Sequence, residues 1–338
     1  MRQADATPRT TTTGARRSTH TPRKGAYALA AMGDPWTADG TWLRSALHAH
    51  TTRSDGELAP RTLARHYERA GYDVLAITDH WRLTRAASSE RLLVIASAEL
   101  NCILPDARDG HVLAFGLDAP EPELRVLARE HAGLEETAAW VVARGGVAYL
   151  AHPYWSGVTP GTLELPEDVS GIEVFNAGCE LEVGRGLSTV HWDELLEAGR
   201  LCPAIAADDC HHPGFDSDLA WTWVRAAERS AASVLAALAG GMFYSSTGPL
   251  LYDVQREVDT IEVRCSPCRS VTLVSGRATG AAVNIGRLGY RHAGRELECD
   301  RDGLVVHARL EIPRSARHVR IEVTDTAGRK AWANPLLV

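Results

Sequence analysis

Positive charge is scarce in this 338-residue chain and nowhere forms a continuous stripe: 36 basic residues face 43 acidic ones, for a formal net charge of −7. That balance excludes a binder that works by neutralising phosphates, and leaves nucleic acid as a partner only in the form of a phosphodiester substrate. A small molecule is the expected partner. Lysine is nearly absent, Lys24 and Lys330 being the only two, which points to a GC-rich coding bias and carries no functional meaning. The seven cysteines form no disulfide-like framework, so a reducing compartment is the simpler reading. Cys265-Ser-Pro-Cys268 has CxxC spacing, but no second pair or nearby histidine couple completes a zinc site, and buried free thiols are the better reading. Long hydrophobic runs are missing as well. The run AYALAAM (26–32) is too short for a secretory core, so no membrane partner and a cytoplasmic location are expected. Residues 1–36, rich in Thr, Arg, Ala and Pro without periodicity, are expected to be disordered. Met32 is the expected natural start, because ordered patterning begins only at Trp42.

What is present begins with size: at this length and 45% hydrophobic content the chain exceeds a single core, so a large domain plus a smaller one is expected. From Trp42 short apolar runs alternate with helical patterns, the signature of βα repeats and a mostly parallel sheet. The candidate strands are 42–48, 73–78, 91–97, 111–117, 147–151, 171–175 and 203–207, and their continuous apolar character suits strands buried on both faces. Pro60 opens a helix that Gly71 stops, and Gly145 and Gly146 stop another. Beyond residue 253 the texture changes to period-2 alternation, as in TIEVRCS and HVRIEVTD, which predicts a small β-sandwich over 253–338 after a domain at 37–252.

The chemistry gathers where those strands end. LHAHTTRSDGE places His48 and His50 two apart at the end of the first strand, on one face. The second strand ends in Asp79 and His80, the third in Glu99, the fifth in His152, and the seventh in Asp209 and His211, while His111 opens the fourth. Active sites on parallel-strand barrels are built at the carboxyl ends, a rule that all but His111 obey directly. So many histidines and carboxylates exceed the needs of one tetrahedral ion and imply two or three, with Glu99 able to bridge because it has two oxygens. Asp55, between Ser54 and Gly56, reads either as a ligand or as a turn residue. Asp79 reads as the partner that holds a neighbouring histidine in its tautomer. Asn176 and His212 are candidates for orienting substrate, with capping or packing as the alternative; Trp155 is a candidate apolar wall. Arg185, like Arg53 and Arg82, lies in a loop near the motifs and is a candidate for substrate binding.

The motifs HAHTTRSDG, ITDH, AHP and DDCH, in this order between about Trp42 and Pro249, resemble the polymerase and histidinol phosphatase (PHP) family. The resemblance implies a distorted seven-stranded (βα) barrel, two or three divalent ions (zinc, manganese or iron) and phosphoester hydrolysis by a metal-bridging hydroxide. It implies His48, His50, Glu99 and Asp209 on one ion, Glu99, His111 and His152 on a second, and Asp55, His80 and His211 on a third. The stretches IEVFNAG, DDCHHPG and FYSSTGP, with the terminal AWANP, further resemble a subgroup that includes carbamate-ester hydrolases. The substrate is thereby expected to be a small phosphoester, with a carbamate or carboxyl ester as the alternative and a non-catalytic metal-stabilised binding protein as the rival of another class.

Overall fold

The computed structural model describes residues 32–338 apart from 120–122, 125–126, 128–131, 277 and 287–288. The disorder expected over 1–36 therefore falls mostly outside the described residues. From Gly33 the chain is packed: the Gly33 amide donates to the Gly240 carbonyl, and the Trp36 ring lies 5.5 Å from Tyr244 and 5.2 Å from Trp42.

A mixed α/β fold with one large sheet results. Its first seven strands follow in chain order: β1 (Thr41–Ala46), β2 (Val74–Ile77), β3 (Leu93–Ile103), β4 (Asp109–Phe115), β5 (Val147–Leu150), β6 (Val169–Asn176) and β7 (Ala204–Ala207). All seven sit where the apolar runs predicted strands. β2, β5 and β7 are buried at every residue, which is why they read as unbroken apolar runs. Beyond the ends of β1 and β7, Ala49 pairs in parallel with Cys210, and the His50 amide donates to the Cys210 carbonyl at 2.8 Å, so the last strand returns to the first. One feature departs from an all-parallel repeat. β4 runs antiparallel to both β3 and β5, so its amino end lies beside the carboxyl ends of its neighbours. That reversal brings His111 to the same rim as the others.

Helices cover the sheet with the expected punctuation. α1 (Pro60–Arg69) has Pro60 in its first turn, buries Leu63 and Tyr67, and is followed by Gly71 at φ +82. α2 (Leu134–Val142) is followed by Gly145 at φ +74. Both glycines take the left-handed conformation that ends a helix without steric penalty. α3 (Ala177–Val183) and α4 (Thr189–Glu197) precede β7; α5 (Ala231–Ala239) lies between β8 (Trp221–Ala226) and β9 (Phe243–Ser246). No helix among the described residues is long and apolar enough to cross a membrane.

The remainder is strand-rich, as the alternation predicted. β10 (Leu251–Arg256), β11 (Thr260–Cys268), β15 (Gly294–Cys299) and β16 (Val305–Glu311) form a four-stranded antiparallel sheet in the order β10-β11-β16-β15. Strands β12 (Ser270–Ser275), β13 (Thr279–Asn284), β14 (Tyr290–His292), β17 (His318–Thr324) and β18 (Lys330–Ala333) instead extend the large sheet, because β18 pairs with β9. Val254, Val263, Leu273, Val283, Ile321 and Val323 belong to one apolar core of this region. Cys265 and Cys268 are buried free thiols in the same core, and the bulge between Arg264 and Cys268 brings both to its face.

Candidate metal centre

The strand ends place their polar side chains against one another under almost complete burial. His48, His50, Glu99, His152 and Asp209 all expose less than a tenth of their surface. Glu99 stands at the centre. Its Oε2 lies 3.1 Å from His48 Nε2, 3.1 Å from His50 Nε2 and 3.5 Å from His80 Nδ1; its Oε1 lies 2.6 Å from His111 Nδ1 and 3.2 Å from His152 Nε2. Asp209 Oδ1 adds contacts of 3.1 Å to His48 and 3.2 Å to His50. At the open edge Asp55 Oδ2 lies 3.5 Å from both His80 Nε2 and His211 Nε2, and its Oδ1 lies 3.3 Å from His50 Nδ1.

These contacts resolve into three overlapping groups of ligand-type atoms: His48, His50, Glu99 and Asp209; Glu99, His111 and His152; and His50, Asp55, His80 and His211. Every metal-ligand candidate of the sequence is in one of them, Asp55 included. Whether the groups suit cations can be judged from their orphaned atoms. His48 Nε2, His50 Nε2, His80 Nδ1, His111 Nδ1 and Asp209 Oδ1 are buried without a hydrogen-bond partner, a state that costs free energy unless something satisfies it. All five point into the groups, and a divalent cation satisfies such atoms. Imidazole and carboxylate donors without thiolate suit zinc, manganese or iron.

The opposite ring nitrogens are held from behind, as metal-bound imidazoles require. His48 Nδ1 lies 2.8 Å from Glu173 Oε1, His152 Nδ1 lies 3.3 Å from Ser156 Oγ, and His211 Nδ1 lies 3.0 Å from the Asp209 carbonyl. Glu173 escaped the sequence reading, although it is a lone acid inside the apolar run GIEVF. Fully buried, it also accepts from the His152 amide at 2.8 Å and from Asn176 Nδ2 at 3.0 Å. Glu173→Gln would set an amide NH₂ against at least one of these three donors. The expected result is a fall of about 10–100-fold in metal affinity with the fold retained, measured by calorimetric titration beside circular dichroism; unchanged affinity would show that Glu173 only fills space.

Charge follows the same geometry. Burial opposes a charge on His48, yet Asp209, Glu99 and Glu173 outweigh it and raise the imidazole pKa well above its ordinary value. His50 is raised likewise, against burial, by Asp209, Asp55 and Glu99. Burial would raise Glu99, but His48 and His111 hold it well below the usual carboxylate range. His80 goes the other way, burial holding it below the ordinary value. Without metal, His48 and His50 therefore carry protons near neutral pH, and an arriving cation has to displace them. Metal affinity is expected to rise with pH, and metal addition near pH 7 to release protons. Calorimetry in two buffers of different ionisation enthalpy measures that release, and identical heats in both would contradict it.

The backbone is unusual at two ligands. His152 has φ +26 and Asp209 has φ +55, both non-glycine residues in the left-handed region.

No family model and no curated protein sequence matches the chain. Among solved structures it is similar to a two-domain protein of Bacteroides vulgatus containing a predicted PHP-like metal-dependent phosphoesterase, at 17% identity over 94% of this chain and 99% of that one, with a TM-score of 0.49. It is similar too to a protein of Bifidobacterium adolescentis proposed to be a metal-dependent phosphoesterase (17% identity, 50% and 88% of the two chains, TM-score 0.39). An amidohydrolase of Chromobacterium violaceum, with bound sulfate and no metal, is a third (20%, 51% and 89%, TM-score 0.38). At these values none of them assigns chemistry to this chain.

The remaining candidates separate. Trp155 and His212 line the cleft above the groups. Asp79 does not hold a histidine as expected: its oxygens accept from the Thr51 amide and hydroxyl, both at 2.7 Å, from Ser54 Oγ at 2.8 Å, and from Thr84 Oγ1. It fixes the loop that carries Asp55. Asn176 does not face substrate either. It is fully buried, caps α3 by accepting from the Cys179 amide, and donates to Glu173 and to Asp209 Oδ2, each at 3.0 Å. Arg185 is exposed, 5.6 Å over the Tyr154 ring, and is not part of the cleft lining.

Proposed function

We propose that the chain is a metal-dependent hydrolase of the PHP type, its seven consecutive strands a distorted (βα) barrel over 37–252 and its remainder a β-sandwich-like domain over 253–338. Its reaction is the hydrolysis of a small phosphomonoester or phosphodiester in the cytoplasm, with two or three divalent ions, zinc, manganese or iron, as cofactors. The observation that carries this reading is the meeting of three overlapping ligand groups, two of them sharing Glu99, at the floor of an open cleft of about 540 Å³.

Bound divalent ions supply a water of lowered pKa and stabilise charge on the ester oxygens. The chain supplies the rest. Glu99, Asp209 and Asp55 offset the cationic charge, Glu173 and Asn176 fix the inner ligands, and the burial of His48, His50 and Glu99 shields the floor from bulk water. His80 and His211, each about a quarter exposed, stand where the floor meets the cleft and face the incoming ester.

One observation favours a second reading on the same site, a carbamate or carboxyl ester. Among the described residues that line the cleft there is no arginine or lysine, the groups that ordinarily fork a phosphate. Metal-loaded protein assayed side by side on p-nitrophenyl phosphate, bis(p-nitrophenyl) phosphate and 1-naphthyl N-methylcarbamate decides between them. Chelator-sensitive turnover of the phosphoesters is expected. Turnover of the carbamate alone would select the second reading, and no turnover at all would leave a metal-stabilised binding protein.

A further inference from the structure

We propose that the cleft carries a subsite, made by Trp155, Leu181 and Phe215, for a flat apolar group of the substrate that is neutral or cationic and not anionic. The proposal rests on the hydrolase reading and adds the class of group attached beside the scissile bond.

The lining of the cleft has two unlike parts. The floor is the metal-ligand set. The walls combine Trp155, Leu181 and Phe215 with Glu182 and Asp216. Leu181 is 59% exposed and Phe215 82% exposed, so folding leaves two large apolar side chains in water at the mouth of the site. Trp155 is held in place. The Trp155 indole donates from Nε1 to Glu182 Oε2 at 2.8 Å and packs edge to face on the His152 ring at 4.9 Å. A pre-oriented ring together with exposed apolar side chains suits a flat hydrocarbon or aryl group, which loses water on entering and costs little ordering on the Trp155 side.

Charge sets the other half of the specificity. Glu182 accepts the indole bond, and Asp216 accepts from the backbone amides of His211 and His212, so both carboxylates are fixed parts of the wall. No arginine or lysine among the described lining residues offsets them. A second phosphate or a carboxylate beyond the scissile ester would face these acids unpaired, which disfavours nucleotides and oligonucleotides. An aryl group, or one bearing an ammonium, would not.

The test uses the metal-loaded full chain and non-hydrolysable phosphonates read by calorimetric titration, so binding is measured apart from turnover. Phenylphosphonate is expected to bind about ten times more tightly than methylphosphonate, the effect of partly burying one aromatic ring. Adding a carboxylate in the para position should weaken it, and an aminomethyl group should not. Phe215→Ala and Trp155→Ala should each narrow the phenyl-to-methyl ratio to below about threefold, and Trp155→Phe should keep most of it. Equal affinities for the two phosphonates, binding of neither, or a ratio that survives both alanine variants would overturn the subsite. Ester turnover with no phenyl preference sinks the subsite alone. Phenyl preference with no turnover of any ester sinks the hydrolase reading and leaves the subsite standing.

Discussion

Glu99→Gln is expected to cost the protein more than one metal ion and to lower hydrolysis by well over the roughly 10–100-fold that loss of an outer hydrogen-bonding partner produces. The reason is that this carboxylate belongs to two ligand groups at once, touching His48, His50 and His80 with one oxygen and His111 and His152 with the other. An amide presents one weak acceptor and one donor. Whichever way it turned, its NH₂ would face ring nitrogens that would hold a cation, and the negative charge common to both ligand groups would be gone. Asp79→Asn makes the instructive contrast, since Asp79 reaches Thr51, Ser54 and Thr84 and no histidine. That variant should loosen the loop bearing Asp55 and cost at most the ion at the open edge. Metal per chain, measured by elemental analysis after equilibrium dialysis, checks both; full retention by the Glu99 variant would end its assignment as a shared ligand.

Removal of everything after Pro249 is expected to leave a protein that does not stay soluble. β18 pairs with β9 through Ala331 opposite Ser246, Trp332 opposite Ser245 and Ala333 opposite Tyr244. Without it β9 becomes a bare edge, the kind of surface that recruits other chains. Asn334 is 6% exposed; it accepts from the Ala204 amide at 3.0 Å and donates to the Gly241 and Phe243 carbonyls at 2.9 and 3.0 Å. Those partners sit on β7, on β9 and just before β9, so truncation strips buried polar atoms of bonds, each loss costing about 1–3 kcal/mol. Trp332, stacked 6.1 Å from Phe175, and Arg320, paired with Asp193 on α4 at 2.7 Å, would leave further gaps. Size-exclusion chromatography and metal content of the truncated chain test this. A soluble monomer with undiminished hydrolysis would mean that the C-terminal strands are a dispensable module.

The strands were legible because burial on both faces forces an uninterrupted apolar run, and the ligands because polar residues at the ends of such runs have few structural uses. His111 was harder. Its local sequence does not say that β4 runs backwards, and strand direction is a property of the whole sheet, so only the family resemblance placed it. Glu173 was hidden for a related reason: it matters through the histidine it supports, and that contact joins residues far apart in sequence. Asn176 shows the limit of reading position as role, since a polar residue at a strand end that begins a helix is also the residue that caps it. Past residue 253 the period-2 pattern disclosed the strands but not their partners, because the pairing of β18 with β9 spans the whole C-terminal region.

The left-handed backbone at His152 and Asp209 has an evolutionary side. Residues held there cost about 1–3 kcal/mol each where glycine would sit without strain. A lineage selected for heat resistance alone would find early gains by placing glycine at positions 152 and 209, and each gain would delete a ligand. Stability and the ligand set thus pull positions 152 and 209 in opposite directions.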